Sequence, residues 1–162
     1  MKISISYFAQ VKNFKRPNII PIATTGGGWP FWMYQAYKQK KGSCFLNENN
    51  VMIGIWEDKF SCLDLFDHLD EKCGKKPCPF LSKVPHCKFM DGYLEYLRTL
   101  DFSYLISEFR RVAEEVRSIT KFEGEPEIVL MVYEPKTCIC AERPVLQQYF
   151  KENGIVVEEW SA

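Results

Sequence analysis

Residues 128–132 read Ile-Val-Leu-Met-Val, an unbroken apolar run bounded by Glu127 and by Tyr133-Glu134-Pro135. A strand that is apolar at every position has no side suited to water, so both of its faces need cover. That is the signature of a central strand, and Pro135 marks its end. The flanking segments supply the cover. Upstream, Phe102, Leu105, Ile106, Phe109, Val112, Ala113 and Val116 recur at spacings of three and four, the stripe of an amphipathic helix, with Asp101 placed to cap its start. Downstream, Pro144 suits the first turn of a helix running to Asn153, Gly154 is its stop, and residues 155–160 read as a last strand.

The amino-terminal half adds strands. Residues 3–8 alternate, with Ile3, Ile5 and Tyr7 on one face, and residues 18–23 and 51–56 are further apolar runs. Residues 11–16 read as a loop or short turn, and residues 38–50 as polar, with Lys40-Lys41-Gly42 as a turn. Ser61 is placed to cap a helix reaching about Cys73, with Asp64 as a weak capping-box acid, Leu63, Phe66 and Leu69 as its stripe, and Gly74 as its stop. Residues 91–100 restart a helix on Tyr93, Leu94 and Leu97. The expected fold is a single α/β domain over residues 1–162 with a mostly parallel central sheet and helices on both faces, a Rossmann-like three-layer arrangement. An irregular insertion rich in Cys, Pro and Lys occupies about residues 73–90.

Charge narrows the partners. Basic and acidic residues balance at 21 each and no long Lys/Arg block occurs, so bulk electrostatics do not mark a nucleic-acid or membrane binder. No segment approaches the roughly 20 apolar residues of a membrane span. The first residues enter a strand pattern directly rather than a signal peptide, so a cytoplasmic location is expected. Seven cysteines (Cys44, Cys62, Cys73, Cys78, Cys87, Cys138 and Cys140) are many for such a chain. In a reducing compartment they read as thiols, some in the core, with a metal site or a reactive thiol as the sharper alternative.

In open α/β sheets ligands bind beyond the carboxyl ends of the strands, which singles out the loops at residues 24–30 and 134–144. The first contains Thr25, Gly27, Gly28 and Trp29. Its backbone N–H groups can meet an anion, and the aromatics Trp29, Phe31, Trp32 and Tyr34 can stack on a base or pack as plain hydrophobic surface. It lacks the P-loop ending and the spaced glycines of dinucleotide folds. The second loop brings Cys138, Cys140, Glu142 and Arg143 to a helix start. There a guanidinium and unpaired N–H groups attract anions and favour a thiolate. The alternative is that Cys140 packs inward and Arg143 pairs with Glu142 or Glu134. Cys140, Glu142, Arg143 and Tyr7 are the catalytic candidates, and Thr25, Gly27, Gly28, Trp29 and Arg143 the ligand-binding ones. Cys73, Cys78, His86 and Cys87 are candidates for a structural zinc, since four residues separate the first two. Only two histidines occur, and neither Gly-x-Ser-x-Gly nor His-Glu-x-x-His is present, which gives little support to a conventional triad.

The order of several segments resembles the family called domain of unknown function 488. The matching features are Ser6-Tyr7-Phe8-Ala9 ending the first strand and a second strand running into a Gly/Pro loop over residues 20–30. Tyr93, Tyr96, Leu100 and Asp101 follow around a helix, then an apolar strand ending in Tyr133-Glu134, and a final helix and strand over residues 140–160. The family's Cys-His-Arg signature has its counterpart at Ala141-Glu142-Arg143, with the arginine in register, or at Cys140 after a one-residue slip; the histidine is missing in both. The cysteine-rich insertion has no family equivalent. The resemblance implies an α/β fold with a polar small-molecule or nucleic-acid processing site at the strand ends. Together these readings favour a nucleotide, nucleic acid or other anionic small molecule as partner, with a non-catalytic, metal-stabilised interaction domain as the alternative.

Overall fold

The apolar run forms strand β6 (Glu127–Val132), and every residue of it is buried. Strands β1 (Lys2–Tyr7) and β2 (Ile19–Ala23) flank it, and β7 (Glu158–Glu159) lies outside β1, giving the order β2-β6-β1-β7 with every pair parallel. The computed structural model describes residues 1–25, 30, 32–33, 40–41, 44–47, 49, 51–55, 58–65, 88–136 and 141–162.

Register decides what each face of the sheet carries. Ile128 aligns with Ile3 and Ile20, and Leu130 with Ile5 and Ile22. With Val132 these residues build one apolar face. Three described α-helices cover it: α1 (Lys88–Arg98) through Tyr93 and Leu97, α2 (Phe102–Thr120) through Phe109, Val112 and Val116, and α3 (Glu142–Glu152) through Leu146 and Phe150. Ring contacts tie α2 to α3, with Phe102 edge-on to Tyr149 and Phe150, and Phe109 stacked on Phe150. On the opposite face Ile19, Val129 and Met131 pack with Phe8, Val11 and Phe14 from the 3₁₀ helix Phe8–Asn13 and its exit, and with Met33 and Val51. The sheet thus has helices on both faces, as the continuous apolar strand requires.

The amino edge of the sheet is closed by charge pairing. Glu127, itself buried, accepts from Ser4 Oγ at 3.2 Å and from Arg16 Nη2 at 3.1 Å. Lys2 Nζ stands 3.4 Å from the same carboxylate.

Several local expectations are corrected. Residues 8–13 are helical rather than a continuation of strand and a loop. Lys40 and Lys41 are not a turn: they form β3 (Lys40–Lys41) in a small antiparallel sheet with β4 (Cys44–Leu46) and β5 (Met52–Ile55). Ser61 does not cap a helix but sits inside a 3₁₀ helix, Asp58–Leu63. The remainder of that expected helix, and residues 73–87 of the expected insertion, lie outside the described residues. Residues 88–90, at the end of that insertion, are already the first turn of α1. The last strand shrinks from residues 155–160 to Glu158–Glu159, although the N–H of Trp160 extends the pairing to the carbonyl of Ile5.

Candidate ligand site at the carboxyl edge of the sheet

Neighbouring strands β1 and β6 send the chain to opposite sides. The segment leaving β1 packs on the face of Val129 and Met131. Helix α3, which follows β6, packs on the face of Ile128 and Leu130. Such a divergence opens a crevice beyond the carboxyl ends of the two strands. A cavity of about 390 Å³ lies there. Its walls include Ser6 and Tyr7 at the end of β1, Lys15 and Lys136 in the segments following the first 3₁₀ helix and β6, and Glu159 and Trp160.

The 3₁₀ helix presents a short relay to this cavity. Asn13 Nδ2 donates to Gln10 Oε1 at 2.8 Å, and Gln10 Nε2 donates to the Tyr7 hydroxyl at 2.6 Å. Because Tyr7 Oη accepts from Gln10, its own proton is directed elsewhere. Trp160 is held edge-on against Phe14, with ring centroids 4.6 Å apart, and Tyr133 against Phe8 at 4.9 Å. These contacts set the aromatic walls beside the strand ends.

A buried polar cluster forms where the ends of β2 and β6 meet the start of α3. Thr24 extends the β2–β6 ladder by donating its N–H to the Met131 carbonyl. Its hydroxyl oxygen stands 3.0 Å from that carbonyl and 3.1 Å from Glu142 Oε2. Glu142, the first residue of α3, is buried, and its pKa is pushed up to about 9 by burial first, then by Asp64 and Glu134. The Thr24 hydroxyl and the Leu65 N–H oppose the rise. The Thr24 hydroxyl has one proton to share between the Met131 carbonyl and the Glu142 carboxyl. With its pKa so raised, Glu142 is a neutral acid near pH 7, able in principle to give a proton. Tyr93 donates its hydroxyl to the Leu63 carbonyl on the same side, and its pKa is raised well above the ordinary value, chiefly by burial and then by Glu142 and Asp64.

Arg143, next to Glu142, meets the cavity wall through Glu159. It is 4% exposed. Its Nη1 donates to the Glu134 carbonyl at 2.8 Å, and its Nε forms an ion pair with Glu159 Oε1. That contact is ionic without the alignment of a hydrogen bond: Arg143 Nε and Nη2 and Glu159 Oε1 are buried and make no hydrogen bond among the described residues.

Of the residues singled out from sequence, Tyr7 reaches the cavity, Glu142 and Arg143 join the buried cluster, and Thr25 is buried beside Thr24. The expected acidic partners of Arg143 are corrected: its ion pair is with Glu159, while Glu134 contributes a backbone carbonyl. Gly27, Gly28, Trp29 and Cys140 lie outside the described residues, as do Cys73, Cys78, His86 and Cys87. Among the described residues no group of three or more His, Cys, Asp or Glu side chains is placed to hold a metal, and no helix is long and apolar enough to cross a membrane. Sequence reasoning missed Lys136, Glu159 and Trp160, and it leaves Lys15 as one of several polar groups near element ends with nothing to select it. The signal that finds them is the strand-end rule applied to β1 and β6 as neighbours.

A parallel sheet with helices on both faces and a polar crevice at its carboxyl edge is the kind of α/β domain that binds ligands. No family model matches this chain, and neither does any curated protein or solved structure compared with it. The likeness to the domain of unknown function 488 family thus rests on the quoted residues.

Proposed function

We propose that this chain binds a small anionic ligand, a nucleotide or another phosphorylated metabolite, in the cavity beyond β1 and β6. The observation that carries the reading is the pair Lys15 and Lys136, brought from distant parts of the chain to one cavity at the point where the strand connections diverge. The volume suits such a ligand, since small-molecule pockets run from about 300 to 1,000 Å³. Trp160 and Tyr7 offer ring surface and a hydroxyl on the same walls. Catalysis is a separate step, for which the protonated Glu142 is the candidate acid.

The test is calorimetric titration with a panel of mononucleotides and sugar phosphates. The double variant Lys15→Ala/Lys136→Ala is expected to bind at least about tenfold more weakly, the loss of roughly 1.4 kcal/mol or more. Its unfolding midpoint should stay put, because both lysines are exposed. Unchanged affinity would sink the reading. The alternative, an interaction domain stiffened by zinc on Cys73, Cys78, His86 and Cys87, rests on spacing alone. It turns on metal content after purification without chelator: about one zinc per chain supports it, and none overturns it.

A further inference from the structure

We propose that the anionic group of the ligand, a phosphate or a carboxylate, binds side-on to Arg143 at the place now taken by the carboxylate of Glu159. This rests on the cavity being the ligand site, and it assigns the atoms that grip the anion.

Three observations converge. First, Arg143 is 96% buried by its 4% exposure, yet the Nε and Nη2 donors make no hydrogen bond among the described residues. Those two nitrogens form one edge of the guanidinium, the edge that takes two oxygens of a carboxylate or phosphate in parallel. Nη1 is tied to the Glu134 carbonyl, which helps to fix the plane of the guanidinium. Buried donors are normally satisfied, so an edge whose Nη2 has no partner among the described residues and whose Nε has an ion pair alone can take the oxygens of a ligand.

Second, the group now facing the fork is a poor permanent partner. Glu159 meets Nε through charge rather than an aligned bond, and its side chain is 33% exposed on the cavity wall. It stands on a strand of two residues at the sheet edge, held to β1 by few ladder bonds. The carboxylate can leave the fork by rotation of its own side chain, without movement of the strand.

Third, Lys15 and Lys136 stand on the other walls of the same cavity. They draw an anion in, and the anion and Glu159 then compete for one guanidinium. Glu159 is thus a tethered competitor. The apparent affinity is the intrinsic one reduced by the fraction of molecules in which the fork is open.

The experiment is calorimetric titration with inorganic phosphate on the full chain. Glu159→Gln removes the competitor and is expected to bind phosphate about tenfold tighter than the parent protein. Glu158→Gln removes the same charge from the exposed neighbouring position and is expected to change affinity by less than about twofold. Equal gains in both variants would mean simple charge removal and would overturn the proposal, as would no gain in Glu159→Gln. Should Glu159→Gln fold poorly, Arg143→Lys gives the answer from the other side. It keeps the charge but not the fork, and about tenfold weaker phosphate binding is expected; unchanged binding overturns the proposal. Weaker binding in Lys15→Ala/Lys136→Ala with no response at Glu159 or Arg143 would keep the cavity as the ligand site and reject this subsite. No phosphate binding by the parent or by Glu159→Gln rejects the subsite outright.

Discussion

Glu142 shows how one side chain sets a pH response for the fold. A carboxylate at a helix start is ordinarily welcome, because unpaired N–H groups favour negative charge. Here burial and the nearby Asp64 and Glu134 outweigh that preference and lift the pKa to about 9. The folded state therefore holds a proton that the unfolded chain releases above the ordinary carboxyl value. The resulting stability is complete below that value and is lost as pH rises toward about 9. Within this window the single-group slope approaches about 1.4 kcal/mol per pH unit. Glu142→Gln keeps the shape and the donor of the neutral acid, so it should flatten that slope and exceed the parent in stability at pH 8 by about 1 kcal/mol or more. Urea unfolding from pH 5 to 9 checks this; a slope unchanged by the substitution would mean that the carboxyl is ionised in the fold. Glu142 and Arg143 were legible in the sequence because they open a helix after a central strand. Their partners were not. Glu159 and Lys136 reach the site only because β6 lies beside β1 and β1 beside β7, and no local pattern states strand order.

At the scale of elements, legibility followed the strength of the end signals. Asp101 precedes a long apolar stripe, and its carboxylate accepts from the Tyr104 N–H at 3.0 Å, so the start of α2 was readable. Its end was not, since Lys121 takes the left-handed stop position (φ 58°) that glycine usually occupies. Gly154, the expected stop of α3, does adopt positive φ, at 85°. Asp101→Ala should cost about 1 kcal/mol of unfolding free energy while Asp101→Asn costs little, measured by urea titration. Equal costs for the two would move the role of Asp101 from the cap to its charge. The β3–β4 pairing was misread because Lys40 and Lys41 carry no strand propensity and take their place from Cys44 and Phe45 opposite. The last strand was overread: Val157 is buried but Val156 is 72% exposed, so hydrophobicity there does not measure pairing.

For the molecule as a whole, the two faces of the sheet divide the work. The face bearing Ile5, Ile22 and Leu130 is covered by α1, α2 and α3 and holds the larger cluster of buried apolar residues. The opposite face, under the first 3₁₀ helix, carries the smaller cluster and is continuous with the cavity through Ser6, Gln10 and Trp160. Core and site are therefore separable. Leu130 is fully buried between Ile5 and Ile22 in register, away from the cavity walls. Leu130→Ala should remove about 2–5 kcal/mol of stability by loss of burial and by the cavity left behind. Phosphate affinity of the folded protein should nevertheless stay within about twofold of the parent, because the lysines, Glu159 and Arg143 keep their supports. Urea unfolding and calorimetric titration on the same preparation measure both quantities. Affinity falling together with stability would mean that the packing under α2 and α3 sets the position of Arg143, and the site would then have to be read as an extension of the core rather than as a crevice built upon it.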